Sequence, residues 1–259
     1  MTFIMGFLIQ FFKIILYQPF LNILVLFYVY LPGHDFGVAV ILLTIIIRLL
    51  LFPVSRRALI SQKQMAELQP KIQKIKQKYK NNKQQQTQEM LKLYKQGNIS
   101  PASGCLPFLL QLPVLIALYH VFLKGLTPQA MKQALYGFVP YPGEIVPTLF
   151  GLFDLSKPFW YTANGATHYY FPTLVLGVLA GIAQFVQTKL TVKDSAGNSK
   201  KKNKSEPQFA SMMQSQMLYF MPLIMVFIIL KFGSIIGLYL LVSILFSIGE
   251  HYFIKSRTG

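Results

Sequence analysis

Residues 37–54 hold one charged side chain, Arg48, and are bracketed by Asp35 before them and by Arg56-Arg57 after them. A helix needs about 20 mostly apolar residues to cross hydrocarbon, where no water satisfies the backbone, so a chain built from such runs is confined to packed helices. Four more runs follow, at 105–124, 169–190, 212–232 and 234–254, each flanked by charge or by a Gly-Ser turn. With 53% hydrophobic and 13% charged residues and a mean hydropathy of +0.46, the expected class is an all-α integral membrane protein with five transmembrane helices.

Arg48 requires a reason within that class. At mid-bilayer an arginine costs about 2.5–3.5 kcal/mol on insertion scales, while each Leu, Ile, Phe or Val returns roughly 0.3–0.6 kcal/mol. The run still inserts, at a cost that calls for partners or water beside the guanidinium.

Basic residues orient the spans. Segment 55–104 carries Arg56, Arg57, Lys63, Lys71, Lys74, Lys76, Lys78, Lys80, Lys83, Lys92 and Lys95, and is read as cytoplasmic. The 191–211 loop, with Lys193, Lys200, Lys201, Lys202 and Lys204, and the 255–259 tail fall on the same side. Segment 125–168 then lies outside, with Lys132 and Lys157 against Glu144 and Asp154, and its aromatic content suits an interfacial belt. The expected location is the cell membrane, multi-pass, with the N-terminus outside and the C-terminus in the cytoplasm. The net charge of +17 is distributed between apolar blocks, so it points to topology, anionic lipid or ribosomal RNA and not to a specific nucleic-acid sequence.

Residues 1–36 allow more than one reading. A cleaved signal peptide is disfavoured by the lack of a basic n-region and a small-residue cleavage site. A sixth span competes with an uncleaved segment whose second half, from Pro19 to about Tyr30, lies as a helix along the outer interface, and the interfacial reading is preferred.

In the basic 55–104 segment Met65, Leu68, Ile72, Ile75 and Tyr79 follow a 3/4 spacing, and Thr87, Met90, Leu91 and Tyr94 form a second apolar face beyond Asn81-Asn82. Two helices joined by a short polar turn give a cytoplasmic hairpin, with Pro70 kinking the first and Gly97-Asn98 ending the second. Residues 193–208 have no such seam and read as disordered.

Depth orders the remaining polar residues. Arg48, Gln111 and Gln184 each stand six residues from the cytoplasmic end of their own span, roughly 9 Å in at 1.5 Å per residue. Thr44 lies one turn deeper than Arg48, and Gln187 one turn shallower than Gln184. On the last span Tyr239, Ser243, Ser247 and Glu250 recur at intervals of 4, 4 and 3. Polar groups on four spans in one layer predict a groove open to the cytoplasm and sealed above by 38–43. Taken singly, a buried Gln or Ser is interhelical glue, and Arg48 can reach inner phosphates; coincidence on four helices favours the groove. Glu250 reads as interfacial, or as partly neutralising Arg48. Gly177-x-x-x-Gly181 and Gly233-x-x-x-Gly237 are packing motifs.

Cys105 is the only cysteine, and His34, His120, His168 and His251 are scattered and read as structural. No HExxH, GxSxG, P-loop or dinucleotide fingerprint is present, so no metal, cofactor or enzymatic activity is expected.

Several stretches resemble the YidC family of membrane protein insertases, whose relatives work in mitochondria and chloroplasts. They are TIIIRLLLFPVSRR with LQPKIQKIK, QEMLKLYKQGNISPASGCLPFLLQLPVLIALYHVF, LFDLSK, and YFMPLIMVFIILKFGSIIGLYLLVS. The resemblance implies five spans around a positively charged hydrophilic groove with a mobile hairpin. Its groove arginine falls on Arg48, the threonine before it on Thr44, and a groove glutamine on Gln187. Leu240 follows Tyr239 where the family often has an aromatic, and Gly249, Glu250 and His251 stand where it has glutamines. No large extracytoplasmic domain, lipidation cysteine or long basic tail is expected, which leaves ribosome contact to the hairpin and the 193–204 loop. The implied partners are nascent membrane proteins, anionic lipids, the ribosome and a Sec-type translocon, with the protein acting as a monomer and without ATP. The rival class is a small transporter or channel using Arg48 as an anion site, which predicts paired repeats that the sequence does not show.

Overall fold

The computed structural model describes residues 6, 9–97, 106–163, 165–195 and 208–258, and helices dominate them. Four helices are long and apolar enough to cross a bilayer, at 9–30, 36–65, 171–191 and 234–256, and shorter apolar helices cover 109–125 and 218–232. Leu49, Leu50, Leu109, Ile116, Val178, Ile182, Leu223, Phe227 and Leu245 point out of the bundle. A surface so apolar around a helical bundle is one that lipid covers. The fold is an all-α integral membrane fold.

Helix α1, Ile9–Tyr30, is continuous, with a π-helical turn at Lys13–Tyr17 feeding an α-helical stretch that has Pro19 in its first turn. Phe12 meets His120 edge-on and Tyr28 meets Phe36, which in turn packs on Phe122. Asn22, fully buried, donates to the Ala134 carbonyl at 3.0 Å and accepts from the Tyr136 N–H at 2.7 Å.

Helix α2, Phe36–Lys78, starts at Asp35, whose carboxylate accepts from the Val38 N–H at 2.8 Å. It runs 43 residues without a break, although it contains Pro53 and Pro70. The sequence suggests a span ending at Val54 and a separate hairpin helix; the two are one helix instead. Each proline removes a single N–H, to the Leu49 and Ala66 carbonyls, and no glycine lies between Gly37 and Gly97 to stop the helix.

Helix α3, Lys83–Gln96, turns back along α2. Asn82 caps it by accepting from the Gln85 N–H at 3.0 Å, and the Gln86 side chain donates to the Lys76 carbonyl at 3.0 Å. The α2 seam lies as expected, with Leu68 and Ile72 buried and Met65, Ile75 and Tyr79 half-buried. The α3 face is rotated from the expected one. Gln86, Glu89, Met90, Leu93 and Tyr94 are half-buried, whereas Leu91 is exposed and the exposed Thr87 donates its hydroxyl to the Lys83 carbonyl. Leu93, in step with Met90 and Gln86 at 3/4 spacing, takes the place given to Leu91.

Helix α4, Leu106–His120, continues into a π-helical turn at Val121–Gly125, and a short α5, Pro128–Ala134, follows. The segment before the next span departs from an all-helical expectation. Strands β1, Thr148–Leu149, and β2, Phe153–Asp154, form one antiparallel ribbon; β3, Trp160–Ala163, and β4, Ala166–Tyr169, form another. Two-residue and four-residue strands escape a periodicity search because they are too short to show alternation. Asp35 accepts from the Phe150 N–H, tying the first ribbon to the start of α2.

Helices α6, Phe171–Ser195, α7, Gln208–Phe232, and α8, Ser234–Thr258, complete the bundle. Gly233, at φ +103°, makes the turn between α7 and α8 in a conformation that favours glycine. The LFDLSK stretch clamps that turn. The Lys157 carbonyl accepts from Thr173 Oγ1 at 3.0 Å and from the Ser234 N–H at 3.4 Å, and the Leu155 carbonyl accepts from the Ile235 N–H at 3.0 Å. Asp154 pairs with Lys157 at 3.1 Å. Partial burial pushes the Asp154 carboxyl up, but hydrogen bonds from Ser156 and from Lys157 outweigh it and hold the group below its ordinary value. The same contact raises the Lys157 ammonium.

The apolar core joins Leu21, Leu24 and Val25 of α1, Phe36 to Leu43 of α2, Ala117 to Val121 of α4 and Ile235 to Leu240 of α8. It therefore fills the half of the bundle near the aromatic ribbons. The polar stripe of α8 begins at Tyr239, toward the end of this core.

Candidate functional site

Helix α8 lies between α2 and α6, and its polar stripe meets a different neighbour at each of three rungs. Nearest the core, Gln111 of α4 donates its amide to the Tyr239 hydroxyl at 2.6 Å. One turn on, Arg48 of α2 donates Nε to Ser243 Oγ at 2.6 Å, and a terminal guanidinium nitrogen donates to the same oxygen. One turn further, Gln187 of α6 donates to Ser247 Oγ at 2.7 Å. Tyr239 and Ser243 are buried; Arg48, Gln111, Gln187 and Ser247 are half-buried.

This arrangement follows from spacing. Residues 239, 243, 247 and 250 fall on one helical face, and α2 runs parallel to α8, so that Arg48 meets Ser243 and Phe52 meets Phe253. Two hydrogen bonds to one hydroxyl leave the guanidinium with further donors, because arginine carries five N–H groups. It is held in place without an opposing charge in contact.

Two expected members stand differently. Thr44 is buried, but its hydroxyl donates to the Val40 carbonyl of its own helix at 2.7 Å. Gln184 donates along α6 to Thr188 at 3.3 Å, a bond within its own helix. Gln187 faces α8 instead, since a step of three residues turns the side chain by about 60°. The expected single layer is thus staggered over the eight residues from Tyr239 to Ser247, about 12 Å along the axis.

Glu250 ends the stripe. It is buried, its Oε1 has no hydrogen-bond partner, and it interacts with Arg48 through space without a hydrogen bond between them. His251, read from sequence as structural, joins Leu59, Gln187, Leu190, Thr191 and Ser247 around a small cleft. Its proximity to the stripe was signalled by its position after Glu250 and by the glutamines that the resembled family has there. Cys105 and the lysines at 200–204 lie outside the described residues. Among the described residues no three His, Cys, Asp or Glu side chains cluster in a way that holds a metal ion.

One glycine of each pair allows a close helix approach, while Gly233 serves the turn. A Cβ on Gly181 would stand 2.7 Å from Val226, and one on Gly237 would stand 2.7 Å from Ile229.

These features define a class, a multi-pass helical membrane protein whose polar side chains turn inward around an arginine. Residues 27–259 match the family described as 60Kd inner membrane protein, and the chain belongs to that family. It is 32% identical over 243 residues to a protein named membrane protein insertase YidC of Oleidesulfovibrio alaskensis, covering 93% of this chain and 38% of that one. It is 33% identical over 229 residues to membrane protein insertase MisCA of Bacillus subtilis, covering 87% of this chain and 72% of that one. A YidC of Francisella tularensis subsp. novicida is 32% identical over 220 residues, 85% of this chain and 32% of that one. The chain thus spans about a third to two fifths of the YidC relatives and most of MisCA.

Proposed function

We propose that the protein is a membrane protein insertase, one that moves the polar flank of a nascent segment past the inner leaflet without ATP. The observation that carries this reading is the stripe on α8, on which three other helices converge around a half-buried arginine. A polar flank crosses hydrocarbon at high cost, and partners along part of the path shorten the dry distance. Arg48 attracts an acidic extracytoplasmic tail, while Gln111, Gln187, Tyr239, Ser243 and Ser247 offer temporary hydrogen bonds to its backbone. Thr44 and Gln184, bonded within their own helices, border the path. Burial of the apolar segment in lipid supplies the driving energy.

Their lysines support a cytoplasmic position for the basic hairpin and for residues 191–211, with the aromatic ribbons outside. Helix α1 lies along the outer interface in this reading. Residue 12 contacts His120 and residue 28 contacts Phe36, both at the outer ends of their helices, so some 24 Å of α1 lies near one depth. The hairpin is the contact for anionic lipid and for a ribosome or Sec-type translocon, and one copy holds a complete groove.

A photo-crosslinker at position 111, 187 or 243 tests the reading. A stalled single-span nascent chain with an acidic tail is expected to be captured at all three. Absence of adducts from protein that is folded and abundant in the membrane overturns it.

A further inference from the structure

Among the described residues the buried polar set contains one carboxylate, Glu250, at 5% exposure. Its Oε1 is sealed from solvent and met by no donor. Arg48 makes no hydrogen bond to it, since the guanidinium nitrogens that bond on this stripe both donate to Ser243. Glu250 follows Ser243 by seven residues on the same face, about 10 Å nearer the basic end of α8. One turn along α8 from it, the Phe253 ring meets the Phe52 ring of α2. Arg56 and Arg57 of α2 and Lys255 of α8 have exposed side chains, and His251 is half-buried. The stripe therefore places two ionisable side chains in order, a guanidinium midway and a carboxyl group at its basic end, with the Ser247 hydroxyl and the Gln187 amide between.

We propose that Glu250 is a specificity-determining residue that receives the cationic flank of an inserting segment, a lysine or arginine at its cytoplasmic boundary. The inference rests on the insertase reading. Before its outer tail crosses, a segment with an acidic tail and a basic inner flank presents both charges on the basic side of the bundle. Arg48 takes the tail and Glu250 takes the flank. A charge pair in a site with little water is stronger than the same pair in solvent, so the carboxylate favours a basic flank over a neutral one. A buried carboxyl oxygen that lacks a donor is poised for a partner that brings one.

The test uses the full chain in proteoliposomes and two single-span substrates that share an acidic tail and an apolar segment. One has a Lys-Lys flank and the other Gln-Gln. The readout is the ratio of lysine-flanked to glutamine-flanked insertion. Glu250→Gln is expected to lower that ratio roughly tenfold relative to the unaltered protein, and Glu250→Asp to keep most of it. Because the ratio is internal, a general loss of folding or activity leaves it unchanged. An unaltered ratio in Glu250→Gln, with insertion still dependent on the protein, overturns this inference alone. Insertion of both substrates at the same rate with and without the protein overturns the insertase reading and this inference with it.

Discussion

Arg48 is worth its insertion cost only if its charge is used. In the resting protein two of its donors share one hydroxyl, a neutral acceptor that fixes the guanidinium without cancelling its charge. A carboxylate in the same place would give a stronger bond and a silent groove. The expected consequence is that Arg48→Ala lowers insertion of an acidic-tailed substrate by roughly tenfold, the equivalent of about 1.4 kcal/mol, and affects a neutral-tailed one much less. Arg48→Lys retains the charge and most of the activity, measured by protease protection of the translocated tail. If both tails lose equally in Arg48→Ala, the arginine is a packing residue. The need for Arg48 and the 4, 4, 3 spacing of its stripe were readable in the sequence, because a charge in an apolar run and a helical period are local facts. Which glutamine of α6 meets the stripe was not. Gln184 and Gln187 differ by one small rotation about the helix axis, and that rotation is set by packing against α7 and α8.

At the scale of elements, the approach of α6 to α7 depends on a residue without a side chain. Val226 occupies the space that a Cβ on Gly181 would need. Gly181→Leu is expected to destabilise the protein by about 1–3 kcal/mol, read as a lower unfolding temperature in detergent, and Val226→Ala is expected to restore part of the loss. No recovery in the double variant would place the strain elsewhere. The motif Gly177-x-x-x-Gly181 was visible in the sequence, but its partner was not, since small residues announce close approach and not the helix that approaches. The same limit applies to the hairpin. The apolar period of α2 gave the correct seam, whereas the shorter α3 offered two faces that overlap at Met90 and Tyr94, and tertiary contact chose the one with Leu93. LFDLSK shows the limit most clearly, since its structural use is through the carbonyls of Leu155 and Lys157, and backbone oxygens leave no trace in residue identity.

Across the whole molecule, an apolar core near the aromatic ribbons and a polar stripe toward the basic hairpin give the bundle two unlike halves. Charge sets which half faces which compartment. A cysteine at Gln88, on the hairpin, is expected to be shielded from an impermeant maleimide in intact cells and labelled after permeabilisation. One at Phe138, 73% exposed before the first ribbon, is expected to be labelled in both. The reverse pattern would invert the topology and place the groove on the wrong side for a nascent chain. This division was legible from the positions of the lysines and of the apolar runs. The unbroken passage of α2 from bilayer to hairpin was not, because Arg56-Arg57 mark where the apolar run ends and not where the 43-residue helix ends.

That unbroken passage makes α2 a lever. From Arg48 to Lys78 the helix extends thirty residues, about 45 Å, while the arginine lies only five residues from Pro53, where the ladder lacks one bond. A force applied at the hairpin tip would act on the long arm, and the short arm carries the guanidinium. A displacement of several ångströms at the tip is geared down to a fraction of an ångström at Ser243, the scale on which a hydrogen bond is made or lost.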